Sequence, residues 1–500
     1  MSFSDTGALL DVDFLVVGGG LAGLTVAFVL AKAGHRVRVI EKRGLGVPAG
    51  GVRVPPNVSK LLAQWVPREE LLRIGTPCAG TPLRHLEDGE SVGYLHWKAD
   101  VMKELGGDFL LMHHEDLHRL LYKLATKAGV RVDLNTEVIS VHQGSGGVPN
   151  PSVSLSTGEV ITADFLIGAD GPRSVVRRVV LGREDIVEPS CLTVYTTTIP
   201  GEKMREDPEM RRWLESDDWP IWMGTHRSIC GHSVRGHKDF GIHIYSWTGD
   251  INPPAGEETW EDLVPADSLD FSMHTPIVQK LLSLAPHLIR TRLMRRHEVE
   301  DDSSDSEGSV SISSLHSVSL KRPEGIERWS DGTSRIVLIG ESAHPWQPGG
   351  THPVSIALED AVLFGTLFAR LTSWAQVPSF LSAYQELREE RCAIVKTSDL
   401  KNARMMAMPP GPGRDARDAD MGKNNADEWD EGTTKENFEE MAWVFGYVAS
   451  DEADEWWVNW GRYAQDARDG EEMKHMSLGF QMMSMMSEVT RESYEDRSEL

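Results

Sequence analysis

Cysteine is scarce in this chain: four in 500 residues, at Cys78, Cys191, Cys230 and Cys392, with no CxxC pair. So few and so scattered, they exclude a disulfide framework and a thiolate zinc site, and they point to a reducing, cytoplasmic setting. Basic residues are also in deficit. Lys and Arg number 51 against 76 Asp and Glu, a formal net charge of −25, which argues against nucleic acid and anionic membrane as partners because both attract basic surfaces. Only one long uncharged apolar run occurs, Phe14 to Ala31, about the length that crosses a bilayer. Four glycines interrupt it, and the acids Asp5, Asp11 and Asp13 precede it where a signal peptide carries bases. The chain therefore reads as soluble, with no integral membrane segment. Its 40% hydrophobic and 25% charged residues are those of a globular protein of two or three domains.

That same run carries the main motif. In DFLVVGGGLAGLTVAFVLAKAGHRVRVIEKR, Phe14 to Val17 suit a strand buried on both faces, and Gly18, Gly20 and Gly23 fall on GxGxxG spacing. The first glycine permits a tight turn and the second lets backbone approach a pyrophosphate. The third allows the helix from about Leu21 to Ala33 to pack close to the sheet. Free N–H groups at that helix start stabilise an anion. Val37 to Ile40 form a second strand, and Glu41 at its end is placed to accept hydrogen bonds from a ribose diol. Strand, turn, helix, strand and acid together predict a dinucleotide-binding unit.

Two later segments narrow the reading. Ala163 to Gly168 reads as a buried strand running into Asp170 and Gly171, with a helix over Val175 to Val180. The acid and glycine suit a ribose or phosphate contact, although an ordinary strand-to-turn Asp-Gly pair looks the same. Arg335 to Ile339 form another strand, then GESAHPWQPGGTHPVSIALEDA makes an irregular loop feeding a helix from about Ser355 to Leu371. His114 and His118 share a helix face at metal-ligand spacing, but no third ligand accompanies them, so no metal site is expected.

With these motifs in order, the chain resembles the FAD-dependent aromatic hydroxylases of the 4-hydroxybenzoate and salicylate hydroxylase type, the fungal members especially. GGGLAG with Glu41, ADGPRS, and the GESAHP to LEDA segment carry the match, joined by PAGGVRVPPN and AYQELREERC, over roughly Val12 to Thr397. The resemblance implies an α/β fold. A Rossmann-like FAD-binding domain would comprise residues 10–85, 105–182 and 330–400. A mainly antiparallel β-sheet substrate domain would comprise 86–104 and 183–329, and 401–500 a linker with C-terminal helices. It implies FAD contacts at Gly18, Gly20, Leu21, Ala22 and Gly23, at Glu41, Lys42 and Arg43, at Gly51 and Val52, and at His114, Asp170 and Gly171. Further contacts would come from Gly340, Glu341, Pro348, Gly350, Thr351, His352 and Pro353. Three departures stand out. Glu341 replaces the usual aspartate, Thr351-His352-Pro353 replaces Gly-Gln-Gly, and His114 stands where an arginine commonly faces FAD.

The implied activity is a monooxygenase reaction. NADH or NADPH reduces FAD, dioxygen adds to form a flavin hydroperoxide, and one oxygen atom passes to a small phenolic or other aromatic substrate, with or without loss of a carboxylate. A flavin oxidase, dehydrogenase or oxidative cyclase would use the same fold without oxygen insertion, and a non-catalytic flavin-binding protein would keep the fold alone. Segments such as LTVYTTTIP and FGIHIYSW read as antiparallel strands, and Tyr195, Trp222, His226, Arg235, His243, Tyr245 and Trp247 lie on or beside them. Alternation sends about half of such a set away from any site. His226, Arg235, Tyr245 and His352 are the candidates for substrate chemistry, with no single base designated. Asp301 to Val318, acidic and serine-rich, is expected as an exposed loop. Pro409 to Thr434 reads as a linker, and the helices beyond it as a cap or a dimer support, leaving monomer and homodimer open.

Overall fold

The computed structural model describes residues 10–46, 50–144, 150–247, 262–296, 326–423 and 443–461. The 301–318 stretch and the methionine-rich segment at 479–489 lie outside the described residues.

A five-stranded, all-parallel sheet forms the centre, in the order Ile336–Leu338, Phe165–Gly168, Asp13–Val17, Arg36–Ile40, Arg131–Asp133. Strands Ile336–Leu338, Phe165–Gly168 and Asp13–Val17 are short and almost wholly apolar because both faces are covered, whereas Arg36–Ile40 and Arg131–Asp133, toward one edge, carry exposed arginines. Helix Leu21–Lys32 packs against both His114–Lys127 and Pro353–Phe368, and all three contribute to the core around the sheet. Pro353–Phe368 is largely apolar and buried at nearly every position, its Glu359 and Asp360 being paired with arginines. Helix Val175–Leu181 and a three-stranded antiparallel sheet of Val138–His142, Ser152–Leu155 and Val160–Thr162 join the same core. The order and near-identical bounds of these elements match the dinucleotide-binding reading.

The second sheet has eight strands, in the order Leu263–Val264, Leu288–Arg296, Val187–Pro200, Asp239–Ser246, Arg227–Val234, Ile221–Gly224, Gly80–His85, Ser91–His96. All neighbours are antiparallel except Ile221–Gly224 with Gly80–His85. Sheet membership thus begins at Gly80, six residues inside the stretch that sequence assigned to the nucleotide domain. One face buries Tyr195, Trp222, Ile229, Phe240, Ile242 and Ile244 with residues of helices Gly201–Arg205, Pro208–Leu214 and Pro276–Leu284. The other face looks toward the parallel-sheet domain, bridged by a small sheet of Gly51–Val54, Leu110–His113 and Gly75–Pro77.

The linker reading at Pro409 is corrected over Pro412–Lys423, which is helical. Its proline lies at the start, where a missing N–H costs nothing. Polar anchors replace an apolar stripe: Arg414 pairs with Glu87 at 3.0 Å and Arg417 donates to the Met405 carbonyl at 2.7 Å.

Candidate active site

Where the two sheets meet, a cavity of about 360 Å³ opens. The glycine turn forms part of its wall, and its three glycines differ in kind. Gly18 has φ +101°, and a β-carbon there would strike the Ala169 backbone; a β-carbon on Gly23 would strike the Gly18 carbonyl. These two serve the protein's own packing. Gly20 is the N-cap of helix Leu21–Lys32, offers no side-chain cap, and beyond its chain neighbours has no protein atom within 4 Å of where a β-carbon would sit. An open cradle at an uncapped helix N-terminus fits a phosphate group. Gly18, Gly20, Leu21 and Ala22 line the cavity, whereas Gly23 lies behind it.

Glu41 lines the cavity with Lys42 and Arg43, and its carboxylate accepts from the Gly19 and Arg43 N–H groups at 2.7 Å each. His118 Nε2 donates to the Gly19 carbonyl at 2.7 Å, so the imidazole is a brace for the turn. His114, one helical turn earlier, also lines the cavity; burial first, then His118 and His113, push its pKa down to about 3. It therefore stands neutral where an arginine would be charged.

Asp170 and Gly171 border the cavity, but the Asp170 carboxylate is fully engaged in structure. It accepts from Ser174 Oγ at 2.5 Å, the Val175 N–H at 2.7 Å and Ser342 Oγ at 3.1 Å. Arg177, fully buried, ties this turn to the later loop: Nε donates to the Ser342 carbonyl at 2.8 Å, Nη2 to Glu341 at 2.9 Å and Nη1 to Pro172 at 2.7 Å. An arginine inside the apolar VVRRVVL segment was its signal in the sequence.

In the GESAHP loop, Glu341, Pro348 and Gly350 line the cavity, as does Pro353 at the start of its helix. The helix N-terminus consequently meets the cavity, although the Gly-Gln-Gly pattern is absent. Gly340 turns away at φ +67° and donates its N–H to Asp360 at 3.0 Å. Asp360 also holds His344 and, at 2.7 Å, Arg388, while Glu359 takes Asn57 at 2.6 Å and Arg391 at 3.2 Å. This buried ion network fixes the loop against helices Pro353–Phe368 and Val377–Met405.

Besides Gly23 and Gly340, several expected site residues lie off the cavity wall. Thr351 and His352 do not line the cavity: the His352 ring stacks on Phe445 and its backbone N–H points to Asp399. His226 is exposed in a hairpin turn with its N–H on the Ala407 carbonyl. Arg235 sits in another turn, paired with Glu115 at 2.6 Å and Asp239 at 3.2 Å. Strand ends carry both away from the sheet face that meets the cavity. Tyr245 is on that face, its hydroxyl bonded to the Gly349 carbonyl. The sequence reading missed Thr196 as a site residue and left His243 among several strand residues; both line the cavity, as do Gln347, Gly349, Arg173 and Gly50.

The family model of the FAD binding domain matches residues 11–398. The chain belongs to the FAD binding domain family. FAD is the cofactor of this family, and the open Gly20 position and uncapped helix start fit its pyrophosphate. The FAD-dependent monooxygenase OpS4 of Beauveria bassiana is 26% identical over 88% of this chain and 96% of its own. Hispidin-3-hydroxylase of Neonothopanus nambi is 25% identical over 77% and 87%. Among solved structures, CtdE in complex with FAD and a substrate superposes with a TM-score of 0.70 at 16% identity, covering 91% of this chain and 99% of that one. At that identity the likeness is one of fold. Among the described residues, no helix of this FAD-binding protein is long and apolar enough to cross a membrane.

Proposed function

We propose that this flavoprotein is a monooxygenase that uses NADH or NADPH and dioxygen to hydroxylate a small phenolic or other aromatic molecule. One observation carries the reading: a single cavity joins the open glycine turn at Gly20 to the polar face of the second sheet at Thr196 and His243, so that one cavity would hold both cofactor and substrate. The relatives named as monooxygenases and hydroxylases support it.

When bound, FAD accepts hydride and activates dioxygen for transfer of one oxygen atom. The chain's part is to hold and to exclude. The N-terminus of helix Leu21–Lys32 would hold the pyrophosphate and Glu41 the adenosine ribose, and Pro348 and Gly350 would border the ring system. The start of helix Pro353–Phe368 directs a partial positive charge into the cavity, which favours negative charge developing there. The sheet face, buried against the parallel-sheet domain, keeps bulk water from the reacting oxygen. We also place the protein in the cytosol, in keeping with four unpaired cysteines, as a monomer or homodimer.

The test is nicotinamide oxidation and oxygen uptake by the FAD-loaded protein across a panel of phenols and aromatic acids. One class is expected to accelerate both and to yield a product gaining one oxygen, or gaining one and losing a carboxylate. Equal rates with every compound, and hydrogen peroxide as the sole oxygen product, would refute the proposal.

A further inference from the structure

The match to the family domain ends at residue 398, yet a segment beyond it, residues 443–448, reaches back to the cavity loop. Phe445 is 7% exposed. Its ring stacks on His352 with centroids 5.6 Å apart and planes at 30°, and it meets Trp97 and Phe109 edge-on at 6.1 Å each. His352 caps the start of helix Pro353–Phe368 and stands between Gly350 and Pro353, both in the cavity wall. The loop therefore faces the cavity on one side and carries, on the other, the ring that Phe445 covers.

Phe445 closes a circuit of contacts. Phe109 stacks on Trp97 at 4.5 Å and on Trp219 at 5.9 Å, and the Arg53 guanidinium stands over the Trp219 ring at 5.2 Å. Arg53, 2% exposed, donates to the Gly349 carbonyl and, at 2.8 Å, to the Gly350 carbonyl. From Gly350 the contacts run through Arg53, Trp219, Phe109 and Phe445 to His352, later in the same loop. Asp399 holds the loop from within: its carboxylate accepts from Trp346 Nε1 at 3.0 Å and from the His352 N–H at 3.3 Å. Stacked and edge-on ring pairs at these separations attract beyond simple burial, and each restrains the loop only while the next one holds its partner.

Cations of the network beneath the loop anchor the segment. Arg391 donates to the Trp443 carbonyl at 3.1 Å and the Val444 carbonyl at 2.7 Å, and Lys60 donates to the Gly446 carbonyl at 2.7 Å. Arg388 donates to Tyr447 Oη at 3.0 Å, and both arginines lie over the Tyr447 ring. The same two arginines pair with Glu359 and Asp360, so Phe445 is fixed relative to helix Pro353–Phe368. Its partner ring exists because the loop departs from Gly-Gln-Gly at this point; that pattern has no ring to offer. Burial, against the pull of Asp399, holds the His352 pKa below the ordinary histidine value, so the imidazole stacks as a neutral ring.

We propose that Phe445 is a positioning residue for the flavin: by closing this circuit on His352 it holds residues 348–350 against the isoalloxazine of FAD. The Thr351-His352-Pro353 departure and the segment beyond the family domain then form one device, the ring in the loop and the ring that fixes it. This rests on the reading that Pro348 and Gly350 border the ring system.

The test compares Phe445→Leu, His352→Leu, the double variant, His352→Phe and Pro348→Ala with the parent, all as the full chain. FAD affinity is measured by fluorescence titration, and the surroundings of the bound ring by visible circular dichroism. Phe445→Leu and His352→Leu are each expected to weaken FAD binding by about three- to tenfold and to alter the flavin dichroism. The double variant is expected to lose no more than either single one, since each already opens the circuit. His352→Phe, which keeps a ring for Phe445, is expected to retain the parent's dichroism. A Phe445→Leu protein that melts earlier yet keeps the parent's FAD affinity and dichroism would show packing alone and overturn the proposal, as would losses that add in the double variant. Pro348→Ala tests the ring placement separately. If it alters the dichroism while Phe445→Leu and His352→Leu do not, the positioning role falls and the placement stands; if none of the three alters it, both fall.

Discussion

Gly18, Gly20 and Gly23 belong to one motif, yet their surroundings separate a cofactor role from a packing role. Gly20 has φ −72° and open space around it, so Gly20→Val is expected to leave the melting temperature nearly unchanged while FAD content collapses, because the side chain fills the phosphate cradle. Gly23→Ala is expected to destabilise the apoprotein by about 1–3 kcal/mol through overpacking against the Gly18 carbonyl. Thermal melts and flavin content of both variants check this, and a Gly20→Val protein that keeps its flavin would contradict the placement. Spacing alone singled out these glycines, since a turn's chemistry is local. The row of Thr196 and His243 was beyond the sequence, because it depends on the register between two strands far apart in the chain and on which face meets the cavity. Arg53 was likewise hidden: nothing local shows that an arginine in strand Gly51–Val54 will be buried and will donate to the Gly349 and Gly350 carbonyls some three hundred residues later.

At the scale of elements, the cavity wall is assembled by buried arginines. Arg177 links helix Val175–Leu181 to the carbonyls of Pro172, Glu341 and Ser342 and to Asp185 at 2.5 Å. Arg177→Met is expected to cost about 3 kcal/mol by stranding these acceptors, and to weaken FAD binding because the Asp170 turn and the 340–347 loop lose their common tie. Chemical denaturation with FAD titration checks both effects; a variant as stable as the parent would show the clamp to be dispensable. The parallel strands and their helices were legible because apolar runs and turn residues recur at fixed spacing. Helix Pro412–Lys423 was not, since its stability comes from long-range ion pairs and its composition resembles a linker.

The whole molecule carries a pH signature in the network beneath the loop. Burial alone would lower the His344 pKa, but Asp360 and Cys392 raise it to about 10. A folded value above the unfolded value near 6.5 means that the pair's contribution is complete below about pH 6.5 and is lost as pH rises through about 10. The denaturation midpoint is expected to fall between pH 7 and pH 10, and to fall less in His344→Asn; identical slopes would remove His344 from the pH response. That two sheets enclose one cavity for FAD and an aromatic substrate is tested most directly by turnover under oxygen-18 gas. With the accelerating phenol or aromatic acid and a nicotinamide reductant, the product is expected to carry one labelled oxygen atom from the gas. Substrate oxidised without label, or turnover sustained equally by an artificial acceptor in the absence of oxygen, would show that the cavity serves an oxidase or dehydrogenase instead.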